Sequence, residues 1–234
     1  MVRKFLIFIL LAAFSVIFIN LYQNFKGQDK LNDLSTYYAE NEPQELGAQN
    51  LVTSIVVTYR GFDTLGEVTI LFLAASAIGF FLKIKESDKN KKRELRKTSE
   101  ILETASKILV PLIFLLGVYV FANGHLTPGG GFQGGAIMAS GMVLMLLANP
   151  EKDVKHSLFS GIESISGFTY VILGLLGIYF AYGFLDNRVL PLGQFGNIFS
   201  AGLIPVIYTF IGLKVGSELT NIVGNLKETQ KETE

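Results

Sequence analysis

The chain has 234 residues, and 20 Lys and Arg balance 20 Asp and Glu. Half of it is apolar and only 17% is charged, against about a quarter charged in soluble domains. A formal net charge of zero gives no reason to expect a nucleic-acid partner. The absence of cysteine excludes disulfides, thiolate-held iron–sulfur clusters and thiol nucleophiles. Two histidines, His125 and His156, argue against a haem or a dedicated zinc site. Any associated redox chemistry must therefore lie in another polypeptide.

A hydrocarbon core of about 30 Å needs roughly 20 mostly apolar residues per helix. Six stretches qualify, at 4–22, 64–83, 106–123, 132–148, 162–184 and 197–216. The expected fold is an all-α integral membrane protein with about six transmembrane helices. The first stretch follows Arg3 and Lys4 but has no prompt small-x-small cleavage site, so it reads as a retained N-terminal transmembrane helix over 1–22. An external polar segment over 23–48 shows no periodicity long enough for a domain. A basic linker over 84–103 divides a two-span part from a four-span part, and 217–234 reads as a tail. With both termini in the cytoplasm, only Lys26, Lys30, Arg60 and Arg188 among the Lys and Arg residues lie outside. That asymmetry matches the positive-inside rule.

Entering the second span, Arg60, Asp63 and Glu67 are spaced to fall along one helical face. A carboxylate at the depth of Glu67 costs a few kcal/mol unless it has a partner or a wet cavity, which makes it a functional candidate. The alternative is that all three sit at headgroup level, with Arg60 as an ion-pair partner. Between the third and fourth spans runs Gly124-His-Leu-Thr-Pro-Gly-Gly-Gly-Phe-Gln-Gly-Gly-Ala136. Pro128 and the glycines Gly129, Gly130 and Gly131 cannot continue a membrane helix cheaply. They make either an exterior turn or a broken helix whose backbone lines a cavity. His125 titrates near neutral pH and suits a proton carrier or a structural post. Downstream, Gly131, Gly135 and Ala139 recur every four residues, the pattern of close helix packing. Lys107, Lys214 and Glu218 lie near span ends, where snorkelling suffices to explain them.

The run Arg60-Gly-Phe-Asp-Thr-Leu-Gly-Glu67 resembles the C-terminal end of the large MrpA subunit of Mrp-type (Mnh) Na+/H+ antiporters. The same element is a small separate subunit in related membrane-bound hydrogenases. The run Gly124–Ala136 resembles the signature of the MrpB (MnhB) subunit, with Phe132 among its positions. These resemblances imply a hydrogenase-E-like element over 49–83 fused to an MnhB-like four-helix domain over 104–216. They imply a non-redox subunit of a multi-subunit Na+/H+ antiporter module in the cell membrane. That module is either free-standing or joined to a hydrogenase-like redox arm of iron–sulfur and NiFe type. The partners implied are the other Mrp-type subunits and the lipid bilayer. No cofactor and no permanently bound metal is expected. Glu67, Asp63 and His125 are the implied ion-translocating residues, with transient Na+ near Glu67. The competing reading is a scaffold subunit without ion-handling residues. A self-sufficient transporter is disfavoured by the lack of an internal repeat.

Overall fold

The computed structural model describes residues 2–25, 30–82 and 98–230, and among these every regular element is helical. The order is α1 (Val2–Asn24), α2 (Asp33–Glu45), α3 (Leu51–Ser54), α4 (Gly61–Phe81), α5 (Glu100–Ala122), α6 (Gly131–Ala148), α7 (His156–Phe180) and α8 (Ile204–Gln230). The chain divides into two units, residues 1–37 and 38–234. In the first unit, α1 is a 23-residue apolar helix whose described side chains are all exposed. Ser15, Asn20 and Asn24 bond back to carbonyls one turn earlier, so their polar atoms are satisfied within the helix.

In the second unit, α8 is the inner helix. It packs against α4, α5, α6 and α7, and α5 packs in turn on α6. The core joins Val68 of α4 and Tyr170 of α7 to Ile204, Ile207, Ile211 and Val215 of α8. Helix α6 approaches its neighbours through glycines. A Cβ on Gly131 would lie 2.6 Å from the Ile211 Cβ, and one on Gly135 would lie 2.7 Å from the Gly212 carbonyl oxygen. One on Gly134 would lie 2.6 Å from the Gly117 carbonyl oxygen of α5. The small residues at every fourth position are thus the surface along which α6 is pressed between α5 and α8.

Five helices are long and apolar enough to cross a membrane: α1, α4, α5, α6 and α7. The sixth expected span, 197–216, is displaced. Residues 197–203 are loop, and the helix runs on to Gln230, so the expected tail from 217 is, through that residue, a continuation of α8 with Ser217, Glu218 and Thr220 buried. Inner position explains both shifts: a helix shielded by four others need not be apolar all round. The fifth helix starts at His156 rather than 162 and ends at Phe180 rather than 184. Most of the basic linker lies outside the described residues. Its end is a helix start, with Ser99 Oγ accepting from the Leu102 N–H and Glu100 and Glu103 in the first turn.

The polar segment before residue 48 holds a helix that hydropathy does not reveal, α2, and Glu42 on it is buried. Glu42 Oε1 accepts from the Ala48 N–H at 2.8 Å and from Ser54 Oγ. Asn187 donates to the carbonyls of Leu46 at 2.8 Å and Ala201 at 3.1 Å. These bonds tie residues 42–54 and the loop 181–203 into a cap over one end of the bundle. The opposite end is formed by residues 149–156 and the last turns of α8.

Candidate functional site

Helix α4 is not continuous with the chain before it. After α3 the backbone widens into a π-helical turn over Ile55–Tyr59, and Arg60, at φ −120° and ψ 38°, breaks the run before Gly61 starts α4. Thr64 Oγ1 satisfies the carbonyl of Val56 at 2.6 Å. Such turns recur at functional sites in other proteins. Directly after it, Arg60 and Asp63 form an ion pair at 2.5 Å, with side chains 63% and 52% exposed. Glu67 follows one turn later and is also exposed. It stands six residues into α4, about 9 Å along the helix. The helix does not extend back to Arg60, so only Asp63 and Glu67 stand one turn apart on a face of α4. Arg60 is joined to them through its ion pair to Asp63, and all three side chains are exposed.

His125 lies elsewhere. It is fully buried in the cap, with Nε2 3.1 Å from the Ile198 carbonyl oxygen. Burial pushes its imidazole below the ordinary value, although backbone hydrogen bonds at Asn197, Ile198 and Ala122 act the other way. The neutral ring therefore donates from Nε2, and Nδ1 is buried without a partner. The turn beside it is equally occupied. Asn50 donates its side-chain amide to the carbonyls of Gly124 and Thr127, at 2.9 and 3.0 Å, and Thr53 Oγ1 donates to Gly124 at 2.7 Å. The Asn50 N–H takes the His125 carbonyl at 3.0 Å. Pro128 is exposed, Gly129 and Phe132 are half-buried, and Gly130 caps α6 at φ +153°, a backbone open only to glycine. The motif holds a turn against α3, and the carbonyls of Gly124, His125 and Thr127 face protein donors.

The chemistry concentrated inside the bundle is on α8. Lys214 Nζ and Glu218 Oε2 are 2.7 Å apart, one turn from each other, with side chains 8% and 0% exposed. Lys214 stands ten residues into a 27-residue helix, about 15 Å from its start. Its ammonium also lies 5.3 Å from the centre of the Phe72 ring of α4. Two cavities flank the pair between α4, α7 and α8. One, of about 320 Å³ and mainly apolar, reaches toward the cap past Phe72, Tyr170 and Lys214. The other, of about 300 Å³ and mainly polar, is lined by Glu218, Asn221, Ser160 and His156. Glu163 of α7 borders both. Below them, His156 Nε2 meets Glu228 at 3.2 Å.

From Lys214 this polar column runs along one face of α8 to Glu228. Fourteen residues of helix cover about 21 Å, most of the roughly 30 Å of a bilayer's hydrocarbon core. Three of its buried atoms have no hydrogen-bond partner: Tyr170 Oη, Glu218 Oε1 and Asn221 Oδ1. Sequence reasoning placed Lys214 and Glu218 at a span end and passed over Glu163 and Asn221. The usable signal was a Lys and a Glu four apart inside a helical pattern that continues well beyond them. Lys107, by contrast, pairs with Glu103 at 3.0 Å on an exposed face. No cluster of three or more His, Cys, Asp or Glu that could hold a metal ion occurs among the described residues.

Residues 101–221 match the model of a domain related to the MnhB subunit of Na+/H+ antiporters. The chain belongs to this family. A second model, MbhE of MBH, matches residues 3–89 and so takes in α1 and α2, which the motif reading left unassigned. The fold is shared with a chain of the membrane-bound sulfane sulfur reductase, an archaeal respiratory membrane complex. That likeness has 37% identity and a TM-score of 0.79, covering 97% of this chain and 98% of that one. A chain of the Mrp complex from Dietzia sp. DQ12-45-1b is 25% identical with a TM-score of 0.74, over 96% of this chain and 26% of that one. A Na(+)/H(+) antiporter subunit of Bacillus subtilis is 39% identical over 36% of this MnhB-family chain and 59% of its own length. The MnhB-family chain is thus a multi-pass membrane protein that spans only part of these antiporter relatives.

Proposed function

We propose that this chain is a non-redox membrane subunit of a multi-subunit cation/proton antiporter module, free-standing or carried by a respiratory complex. In this reading its own side chains form part of the ion path. The observation that supports it best is the Lys214–Glu218 pair, which is buried mid-helix and flanked by two cavities. Ionisable groups inside membrane proteins are rare, pair with one another and mark ion or proton routes. A buried ion pair contributes little net stability over an apolar substitute, so stability alone gives no reason to keep it. Glu67, in the second turn of α4 next to the cap, is the cap-side terminus of the route, and His156 with Glu228 is the other. Family membership and the likeness to chains of antiporter and respiratory complexes support the subunit role.

The scaffold reading also has an observation in its favour: Asp63 is neutralised by Arg60 at the rim, and the carbonyls of the Gly-rich turn are taken by Asn50 and Thr53. Glu67→Gln separates the two, because it removes charge while keeping shape at an exposed position. The complex should assemble, and inverted membrane vesicles should lose most cation-dependent proton release, with Glu67→Asp retaining part. Transport at the wild-type level in Glu67→Gln vesicles would favour the scaffold.

A further inference from the structure

We infer that the cavity bounded by Glu218, Asn221, Glu163 and Ser160 is a binding site for one small monovalent cation of sodium's class. This inference rests on the transport-subunit reading and assigns that reading a place. Glu218 is fully buried and lines this cavity; one of its oxygens is held by Lys214, and the other is buried without a partner. Asn221 Oδ1, one turn-fraction further along α8, is likewise buried and unpartnered, and its amide nitrogen leans on Ser160 Oγ and Glu163 Oε2, each at 3.3 Å. Buried polar atoms in folded proteins nearly always have a partner. Two orphan acceptor oxygens on residues that line one polar cavity therefore call for a donor or a cation.

Charge selects the cation. Glu163 from α7 and Glu218 from α8 face the space with Lys214 as the counter-charge, and α4 contributes only the uncharged Ala75 and Ser76. His156 at the mouth is engaged with Glu228. Two carboxylates against one ammonium leave room for a single positive charge. A set of carboxylate, amide and hydroxyl oxygens suits a hard cation. The absence, among the described residues, of any three-membered His, Cys, Asp or Glu cluster argues against a transition metal. Phe72 and the apolar cavity on the far side of Lys214 separate this site from the cap.

The test uses the intact complex purified from membranes. Infrared difference spectra are recorded while choline is exchanged for Na+ at fixed pH and ionic strength. Wild type should show a saturable carboxylate band change, and Glu218→Gln should lose the component belonging to this site. Asn221→Leu leaves the ion pair untouched and carries the test if the Gln variant fails to assemble. It should shift half-saturation at least about tenfold to higher Na+, the loss of roughly one oxygen ligand worth 1.4 kcal/mol. The inference is overturned if the band change is the same in Asn221→Leu as in wild type. It is equally overturned if the carboxylates respond to pH and never to Na+, which would make them proton carriers alone. Either result leaves the subunit reading standing, since that reading is decided by transport in Glu67→Gln vesicles.

Discussion

The Lys214–Glu218 pair offers the sharpest test of the internal column. Glu218 has no exposed side-chain surface and Lys214 only 8%, so neither can turn to solvent if its partner is removed. Lys214→Met leaves a lone buried carboxylate and Glu218→Gln a lone buried ammonium. Breaking a buried pair from one side costs about 3–5 kcal/mol, a factor of roughly 10² to 4 × 10³ in the population of the folded subunit. The double substitution buries no unpaired charge. Its penalty is that of an imperfectly bonded amide, about 1–3 kcal/mol, less than the sum of the singles by several kcal/mol. The assay is the yield and heat resistance of the intact complex in mild detergent. Both singles should assemble poorly and the double should recover most of the wild-type yield. Vesicles carrying the double should nonetheless fail to couple cation movement to proton movement, because the charges are gone. Singles that assemble as well as wild type would refute the pairing. A double that transports normally would remove the column from the ion path.

Three further outcomes follow from other parts of the molecule. Gly131→Val should reduce complex yield sharply, since even its Cβ would lie 2.6 Å from Ile211 and 3.0 Å from the Tyr208 carbonyl; overpacking of this kind costs about 1–3 kcal/mol or more, and normal yield would show that α6 and α8 are not in contact there. Asn50→Ala should lower the thermal midpoint of the complex, because the half-buried Thr127 carbonyl loses its side-chain donor while Gly124 keeps only Thr53 Oγ1, at about 1 kcal/mol. His125 should make the cap acid-sensitive. Its folded pKa is lowered by burial, so the unfolded chain binds the proton more readily, and stability falls as pH drops through and below about 6.5. Heat resistance measured from pH 7.5 to 5.5 should decline in wild type and decline less in His125→Gln.

Legibility followed the hydropathy of each segment. The apolar runs of α1, α4, α5, α6 and α7 were readable to within a few residues at most ends, because in lipid the helix is one of only two backbone solutions. The cap was not. Asn50, Thr53 and Asn187 act through bonds to backbone groups far away in sequence, and nothing local marks a side chain for that duty. The Gly124–Ala136 run was visible as special, yet its composition fits a turn latched to α3 and a broken membrane helix equally well. Only the partners of its carbonyls separate the two.

Helix α8 shows why the most informative residues were discounted. Span-finding rewards uniform apolarity, so it ended the sixth span at 216 and left Lys214 and Glu218 at its edge, where snorkelling explains them. The helix in fact continues to Gln230, which moves both residues into the interior. Being enclosed by four other helices removes the demand that α8 be apolar. It also gives Lys214 a neighbour on α4, Phe72, and Asn221 neighbours on α7, Ser160 and Glu163. The same enclosure fixes the direction of the column: with Gly212 and Gly216 turned to α5 and α6, the opposite face carrying Lys214, Glu218 and Asn221 is left to α4 and α7. A helix that close-packs on one side through glycine and lines cavities on the other is well placed to hold charges in lipid. In this chain the helical pattern that carries Lys214 and Glu218 on past residue 216 is the sequence's own pointer to the site.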